Sequence, residues 1–155
     1  MSQFAKDNFM KTLDAVNEIL QKFGSSISLS ELALDKDCTC VLKLDDAKNV
    51  QLTYNEENEV LYFFSDVGVL PEKSLVRCCN CLLKANADWE LTEGVTLSKN
   101  GNSDTVLMGY RLPVINLTLE FFEKVLEHFI AKLDVWKDYL QQMTQGKLPE
   151  VLAEL

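Results

Sequence analysis

Residues 117–143 read LTLEFFEKVLEHFIAKLDVWKDYLQQM, and the rest of the fold is built around this stretch. Its large apolar residues recur at steps of four and three, the spacing of one face of an α-helix. They are Phe122, Leu126, Phe129, Leu133, Trp136, Leu140 and Met143. The charged residues fall mostly off this stripe, so the segment predicts an amphipathic helix of about seven turns. The remaining chain must supply a surface that covers the stripe.

Composition narrows the kinds of protein this chain can be. Its 155 residues suit one domain, and its 47% hydrophobic and 25% charged residues are typical of a water-soluble globule. The net charge of −9 argues against nucleic acid as a ligand, because phosphates bind basic surfaces. An acidic chain is better suited to protein partners that carry basic stretches.

The chain carries no sign of export or membrane insertion. Residues 1–20 mix charged and apolar side chains, whereas a signal peptide needs an unbroken apolar core. No run approaches the roughly 20 apolar residues of a membrane-spanning helix. We therefore expect a cytosolic protein, and its five cysteines are expected to be reduced thiols.

The first half of the chain predicts one helix and a meander of strands. Apolar residues at four-three spacing predict a helix over residues 3–23, with Gly24 as its stop signal. Alternating apolar residues predict strands at residues 38–44, 49–54 and 59–65. The turns between the strands are short, which favours antiparallel pairing.

The third strand is apolar on both faces, and its register stays open at this point. A four-residue turn before the strand directs Leu61 and Phe63 to the core. A five-residue turn directs Tyr62 and Phe64 there instead.

The second half predicts a helix from Pro71 to about Asn86 and a hairpin of residues 95–99 and 105–111. The long helix follows. The order α-β-β-β-α-β-β-α predicts an α+β fold, a twisted antiparallel five-stranded sheet with helices packed on it.

The expected domain organisation is simple. We expect residues 1–143 to form this single domain. Residues 144–155 are expected to be a flexible C-terminal tail.

Few residues could carry chemistry. The only histidine, His128, is predicted on the flank of the long helix, where it is best interpreted as a surface residue. Cys78 and Cys81 are three residues apart on the second helix and could share a metal, but zinc prefers cysteine pairs in loops. Cysteines that pack as small apolar groups are the favoured interpretation. We therefore expect a binding module, with no cofactor, no metal site and no enzymatic activity.

Several short stretches, taken in order, carry a resemblance to a known family. They are residues 32–35 (LALD), 38–42 (CTCVL), 70–71 (LP), 82–86 (LLKAN), 94–97 (GVTL), 111–113 (RLP) and 126–136. In order, spacing and total length, residues 3–142 resemble the class I type III secretion chaperones of the Tir-chaperone family. The cysteine-rich second helix departs from the family's pattern.

The resemblance implies a small homodimer in the bacterial cytoplasm. It implies binding to the N-terminal region of one or more effector proteins, which is kept extended and secretion-competent and is delivered to the secretion apparatus. In this family the second helix commonly builds the dimer interface, and the matching residues are Leu75, Val76, Cys79, Leu82 and Leu83. Packing of all five within their own chain is the alternative.

An extended segment can add a strand to an open sheet edge, where main-chain hydrogen bonds give affinity and side-chain pockets give selectivity. Residues 38–44 are the candidate edge. The candidate effector-binding residues are Phe4, Phe9, Val41, Tyr62 and Phe64. For each of them, packing in the protein's own core is the alternative.

Two other functions remain open from the residues alone. One is an adaptor of the same fold that binds a cytosolic protein which is never secreted. The other is a small thiol or metal enzyme built on Cys78, Cys81 and His128.

Overall fold

The computed structural model describes residues 3–29, 31–45 and 48–155, with side chains described for 12–29, 31–44 and 48–155. The helices are α1 (Gln3–Ser26), α2 (Leu75–Ala87), α3 (Trp89–Thr92), α4 (Leu119–Thr144) and α5 (Glu150–Ala153). The strands are β1 (Thr39–Asp45), β2 (Lys48–Asn55), β3 (Val60–Val69), β4 (Thr96–Lys99) and β5 (Thr105–Pro113).

The five strands form one sheet in the order β1-β2-β3-β5-β4. The pairs β1–β2 and β4–β5 are antiparallel. The predicted α+β class and the predicted order of the main elements are confirmed. Two short helices, α3 and α5, are additions that the sequence patterns did not predict, since each is only four residues long.

The chain divides into two compact units. Unit 1 comprises Met1–Phe63 and Arg111–Glu127, and unit 2 comprises Phe64–Tyr110 and His128–Leu155. The single domain expected for residues 1–143 stays a prediction, because a domain is defined by cooperative unfolding.

Unit 1 is held by aromatic residues from three elements. The ring of Phe122 on α4 lies 5.4 Å from that of Phe23 on α1 and 6.0 Å from that of Phe63 on β3. The N–H of Val114 donates to the C=O of Glu59 at 3.0 Å, which ties the end of β5 to the turn before β3.

Unit 2 brings α2, the β4–β5 hairpin and the second half of α4 together. Its buried residues include Val106 and Met108 from β5, and Phe129 and Leu133 from α4, all at most 1% exposed. Gly68 on β3 approaches Leu140 on α4 so closely that a Cβ atom at position 68 would lie 2.8 Å from Leu140 Cδ2.

The apolar stripe predicted for the long helix is confirmed. All seven residues are buried, none being more than 4% exposed. The helix begins at Leu119, and Thr118 Oγ1 accepts the N–H of Phe121 at 3.2 Å and so caps its first turn.

The register of β3 follows from a four-residue turn, since β2 ends at Asn55 and β3 begins at Val60. Leu61 and Phe63 are fully buried, Tyr62 is half-buried and Phe64 is 37% exposed. Of the two registers left open, the structure adopts the one that gives Leu61 and Phe63 to the core.

Two boundaries differ from the sequence-based expectation. Helix α1 continues to Ser26, past the predicted stop at Gly24. Gly24 serves a close approach instead, because a Cβ atom there would lie 2.6 Å from the C=O oxygen of Leu29. Pro71 precedes a 3₁₀ turn (Glu72–Ser74), and α2 itself begins at Leu75.

The C-terminal segment 144–155, expected to be flexible, contains α5, and Leu152 within it is 2% exposed. Flexibility concerns motion in solution, so that expectation stays a prediction.

Candidate partner-binding surfaces

β1 is an edge strand, because the strand order begins with it. In an antiparallel pair, successive residues point their main-chain N–H and C=O alternately toward the partner strand and away from it. The C=O of Cys38 accepts the N–H of Tyr54 on β2 at 2.9 Å, so the main chains of Cys40 and Leu42 also face β2. The main-chain groups of Val41 and Lys43 consequently point away from the sheet.

The N–H and C=O groups of Val41 and Lys43 are thus four outward-facing main-chain groups. We call these four groups the open edge. Among the described residues, none hydrogen-bonds to them on that side. The pairing with β2 shifts in register between Lys43 and Asp45, which limits the open edge at its C-terminal end.

Asp35 limits the open edge at its N-terminal end. The Asp35 carboxylate accepts the N–H of Thr39 at 2.9 Å and its hydroxyl at 2.9 Å. The N–H of Asp35 donates to the C=O of Thr39 at 2.7 Å, so the outward groups of Thr39 are both occupied. We call this arrangement the Asp35 clasp. The hydrogen bonds from Thr39 hold the pKa of the Asp35 carboxyl below its usual value.

Val41 also presents its side chain, which is 52% exposed, whereas its neighbours Cys40 and Leu42 are buried. The predicted effector-binding residues Tyr62 and Phe64 alternate on β3 with the buried Leu61 and Phe63. The ring of Phe64 lies against Gly109 on β5, where a Cβ atom would be 3.3 Å from it.

The absence of a side chain at Gly109 gives the Phe64 ring room to pack there, and the ring remains 37% exposed. Phe4 and Phe9, the other two predicted effector-binding residues, belong to α1, but their side chains lie outside the described residues.

Helix α2 has three faces. Cys78, Cys81, Leu82 and Ala85 are buried. A second face lies along a groove shared with the C-terminal segment, where Lys84 Nζ donates to the C=O of Leu155 at 3.0 Å.

The third face is apolar and exposed. Val76 and Leu83 are 74% and 68% exposed, and Cys79 between them is half-buried. Among the predicted dimer-interface residues, Leu75 is half-buried as well, whereas Leu82 is only 7% exposed and packs within its own chain. The role of these residues in a dimer interface stays a prediction.

Trp89 is a further exposed apolar residue just beyond the end of α2, and it is 82% exposed. The sequence patterns described above gave Trp89 no role. A tryptophan in a polar stretch was the available signal, because large aromatic residues left in water are enriched at protein interfaces. We call Val76, Cys79, Leu83 and Trp89 the α2 stripe.

The residues considered for chemistry are engaged in the structure. Cys78 and Cys81 are 3% and 8% exposed, and His128 Nε2 lies 3.1 Å from the C=O of Glu93. Burial, together with the carboxylates of Glu56 and Asp35, raises the pKa of the Cys38 thiol, which disfavours the reactive thiolate.

Within the described ranges, no group of three or more His, Cys, Asp or Glu side chains is placed to hold a metal ion. No helix in the described part of the chain combines the length and apolar character that crossing a membrane requires.

The fold is shared with chains of several solved complexes. The structure of the ExsC–ExsE complex contains a chain that is 26% identical, with a TM-score of 0.73, and the match covers 83% of this chain and 95% of that one. A chain of the HopA1–SchA chaperone–effector complex is 21% identical, with a TM-score of 0.64 and coverage of 84% and 94%.

The Yersinia pestis type III secretion chaperone SycH, solved with a fragment of YscM2, contributes a third match. Its structure is 18% identical, with a TM-score of 0.59 and coverage of 77% of this chain and 98% of that one. The last two matches are distant in sequence and show the fold alone. No curated protein matches the chain in sequence.

The family-level match covers most of the chain. The model of the Tir chaperone protein (CesT) family matches residues 18–137, which include β1, α2 and most of α4. The chain therefore belongs to the Tir chaperone protein (CesT) family.

Proposed function

We propose that this protein is a type III secretion chaperone of the bacterial cytoplasm. It binds the N-terminal region of one or more effector proteins, keeps that region extended, and aids its delivery to the secretion apparatus. Membership of the chaperone family supports the general function. The observation that carries the binding mode is the open edge, where four main-chain groups of Val41 and Lys43 point away from the sheet.

The open edge suits an extended segment because such a segment has unpaired main-chain groups of its own. Strand addition satisfies both sets at once, and the partner's alternate side chains then reach the two faces of the sheet. The exposed side chain of Val41 offers the first apolar contact. Ordering a flexible segment costs entropy, so further apolar contacts with Tyr62, Phe64, Phe4 and Phe9 contribute to affinity.

The protein acts as a homodimer through the α2 stripe. A stable dimer interface buries on the order of 1,200–2,000 Å² in total. Val76, Leu83 and Trp89 supply large apolar side chains that water otherwise surrounds. Binding needs no nucleotide, cofactor or metal, and the protein is not an enzyme.

The test is capture of the partner from the source cell's cytosol with the tagged chain. We expect one larger protein to be held through an extended stretch near its N-terminus, as mapped by limited proteolysis and mass spectrometry. A partner held through a folded domain, or one that is never secreted, would replace the chaperone by an adaptor.

Two substitutions test the site. Val41→Pro removes an N–H that points away from β2, so the β1–β2 ladder is kept while strand addition is blocked. Val41→Thr, which keeps the N–H, is the matched control. Val41→Pro is expected to weaken partner binding at least tenfold with an unchanged circular dichroism spectrum, and Val41→Thr is expected to bind nearly as wild type.

The side-chain contacts are tested with Phe64→Asp, and Val41→Asp serves the same purpose at the edge. Both are expected to reduce partner binding and to leave the fold intact, because both side chains are exposed. Unfolding of both variants would mean that these residues belong to the core.

A further inference from the structure

β4 is the other edge strand of the sheet, since the strand order ends with it. The N–H of Asn100 donates to the C=O of Thr105 at 2.9 Å, so the main chains of Ser98 and Thr96 also face β5. By the same alternation, the main-chain groups of Leu97 point away from β5.

Both outward groups of Leu97 are occupied by one side chain. Asn86 Oδ1 accepts the N–H of Leu97 at 2.8 Å, and Asn86 Nδ2 donates to the C=O of Leu97 at 2.8 Å. A primary amide carries one acceptor and two donors, so it can fill both positions that a neighbouring strand would use. We call this pair of bonds the Asn86 clasp.

The next outward N–H on the N-terminal side of Leu97 is that of Val95, and it also has a hydrogen-bond partner. Val95 donates to the C=O of Thr92 at 3.1 Å. On the C-terminal side lies Lys99, whose charged side chain pairs with Asp104 at 2.9 Å. Of the two β4 residues whose main chains face outward, Leu97 has both groups occupied, which leaves Lys99 alone at the end of the strand for a neighbouring strand to pair with.

We infer that Asn86 closes β4 to strand addition, so that an extended partner segment pairs with β1 alone. The statement that a partner segment pairs with β1 rests on the proposed function. The closure of β4 by Asn86 does not, because it is a property of the chain without a partner. The two edges differ in one physical respect. At β1 the Asp35 clasp ends at Thr39 and leaves the outward main-chain groups of two successive outward-facing residues, Val41 and Lys43, without a partner among the described residues. At β4 the Asn86 clasp occupies Leu97, one of only two outward-facing residues in a four-residue strand.

The closure is tested on the free chain with Asn86→Ala. Asn58→Ala, which changes an exposed asparagine in the turn before β3, is the matched control. The first readout is hydrogen exchange of the Leu97 amide by NMR. We expect Leu97 to exchange about tenfold faster in Asn86→Ala than in wild type, because the amide loses its acceptor. An unchanged exchange rate would overturn the inference.

The second readout is association of the chain with itself, which serves as the strand-adding probe. Sedimentation velocity is expected to show Asn86→Ala forming species larger than the wild-type oligomer as concentration rises, with new protection at Leu97. Adding Lys99→Pro, which removes an outward N–H from β4, is expected to reverse this association. An Asn86→Ala protein that stays at the wild-type size at every concentration would count against closure by Asn86.

The third readout separates this inference from the proposed function. With the captured effector segment added to wild type, new amide protection is expected at Val41 and Lys43 and not at Leu97 or Lys99. Protection appearing along β4 would contradict the inference even if the protein proves to be a chaperone. Absence of any bound effector would contradict the proposed function, while the first two readouts still decide whether Asn86 closes β4.

Discussion

Gly68 shows how one residue controls a packing distance. Its φ of +150° is rarely adopted by residues with a side chain, and the space for a Cβ atom is taken by Leu140 Cδ2 at 2.8 Å. Here β3 lies directly against α4 because position 68 has no side chain.

Gly68→Ala is expected to lower the free energy of unfolding by about 1–3 kcal/mol, since the methyl group overpacks this contact. Urea unfolding measures the change. Truncation of the facing side chain in Gly68→Ala/Leu140→Ala is expected to cost less than the sum of the two single substitutions, because the clash is removed. If the free-energy changes of the two single substitutions add up to that of the double substitution, the destabilisation by Gly68→Ala comes from backbone strain and not from contact with Leu140.

Asp35 gives the open edge a pH-dependent boundary. Its pKa in the folded protein lies below the unfolded value because Thr39 donates two hydrogen bonds to the carboxylate. The stabilisation is therefore present above the unfolded pKa of about 3.9 and is lost as pH falls through the folded pKa.

We expect the NMR shift of the Thr39 amide to titrate with a midpoint below about 3.9, the ordinary value for Asp. Asp35→Asn removes the titrating group and should abolish this titration, whereas Asp37→Asn should preserve it. A Thr39 titration that survives in Asp35→Asn would assign the effect to another carboxylate.

These residue roles were partly visible in the sequence. The chain's Asp-Lys-Asp-Cys-Thr stretch (35–39) is rich in residues that hydrogen-bond to nearby main chain, but nothing local shows that Thr39 begins an edge strand. Asn86 carried no signal, because its partner Leu97 is brought to it only by the packing of α2 beside β4.

Helix α2 illustrates the limits of reading an element by its periodicity. Its sequence is apolar over more than one face, so periodicity does not separate covered from exposed residues among Leu75, Val76, Cys79, Leu82 and Leu83. In the structure Leu82 is buried, while Val76 and Leu83 remain exposed. Periodicity can locate apolar residues on a helix, but the neighbours decide which of them are covered.

At this scale we expect Val76→Asp or Leu83→Asp to convert the homodimer into a folded monomer. A charge placed in the α2 stripe loses its water on association, which is costly, but it stays solvated in the monomer. Sedimentation equilibrium measures the state, and circular dichroism checks the fold. Val135→Asp, the same change at an exposed valine on α4, should leave the dimer intact.

A dimer that survives both substitutions would place the interface elsewhere. Tryptophan fluorescence supplies an independent check, because Trp89 is 82% exposed in the free chain and Trp136 is 1% exposed. Dissociation through the α2 stripe should therefore shift the emission of Trp89 to longer wavelength.

The whole molecule raises the question of cooperativity, because its contacts cluster into two units. The sequence length predicts a single domain. Leu20 in unit 1 and Leu133 in unit 2 are both fully buried, so their amides report on opening of each unit.

If the protein is one domain, native-state hydrogen exchange should give both amides the same free energy of opening, equal to that from urea unfolding. A lower value in one unit, beyond measurement error, would mean that this unit unfolds on its own.

The sequence by itself determined the order of the elements, the burial of the long helix along one stripe, and the family to which the chain is similar. These features follow from local spacing, because helices and strands repeat with periods of 3.6 and 2 residues wherever they occur. The tertiary structure alone decided the register of β3, the exposed face of α2 and the difference between the two sheet edges. Each of these depends on which surfaces meet, and a main-chain group at an edge is open or closed according to its hydrogen-bond partner. Asn86 hydrogen-bonds to Leu97, whereas no described residue hydrogen-bonds to the outward groups of Val41.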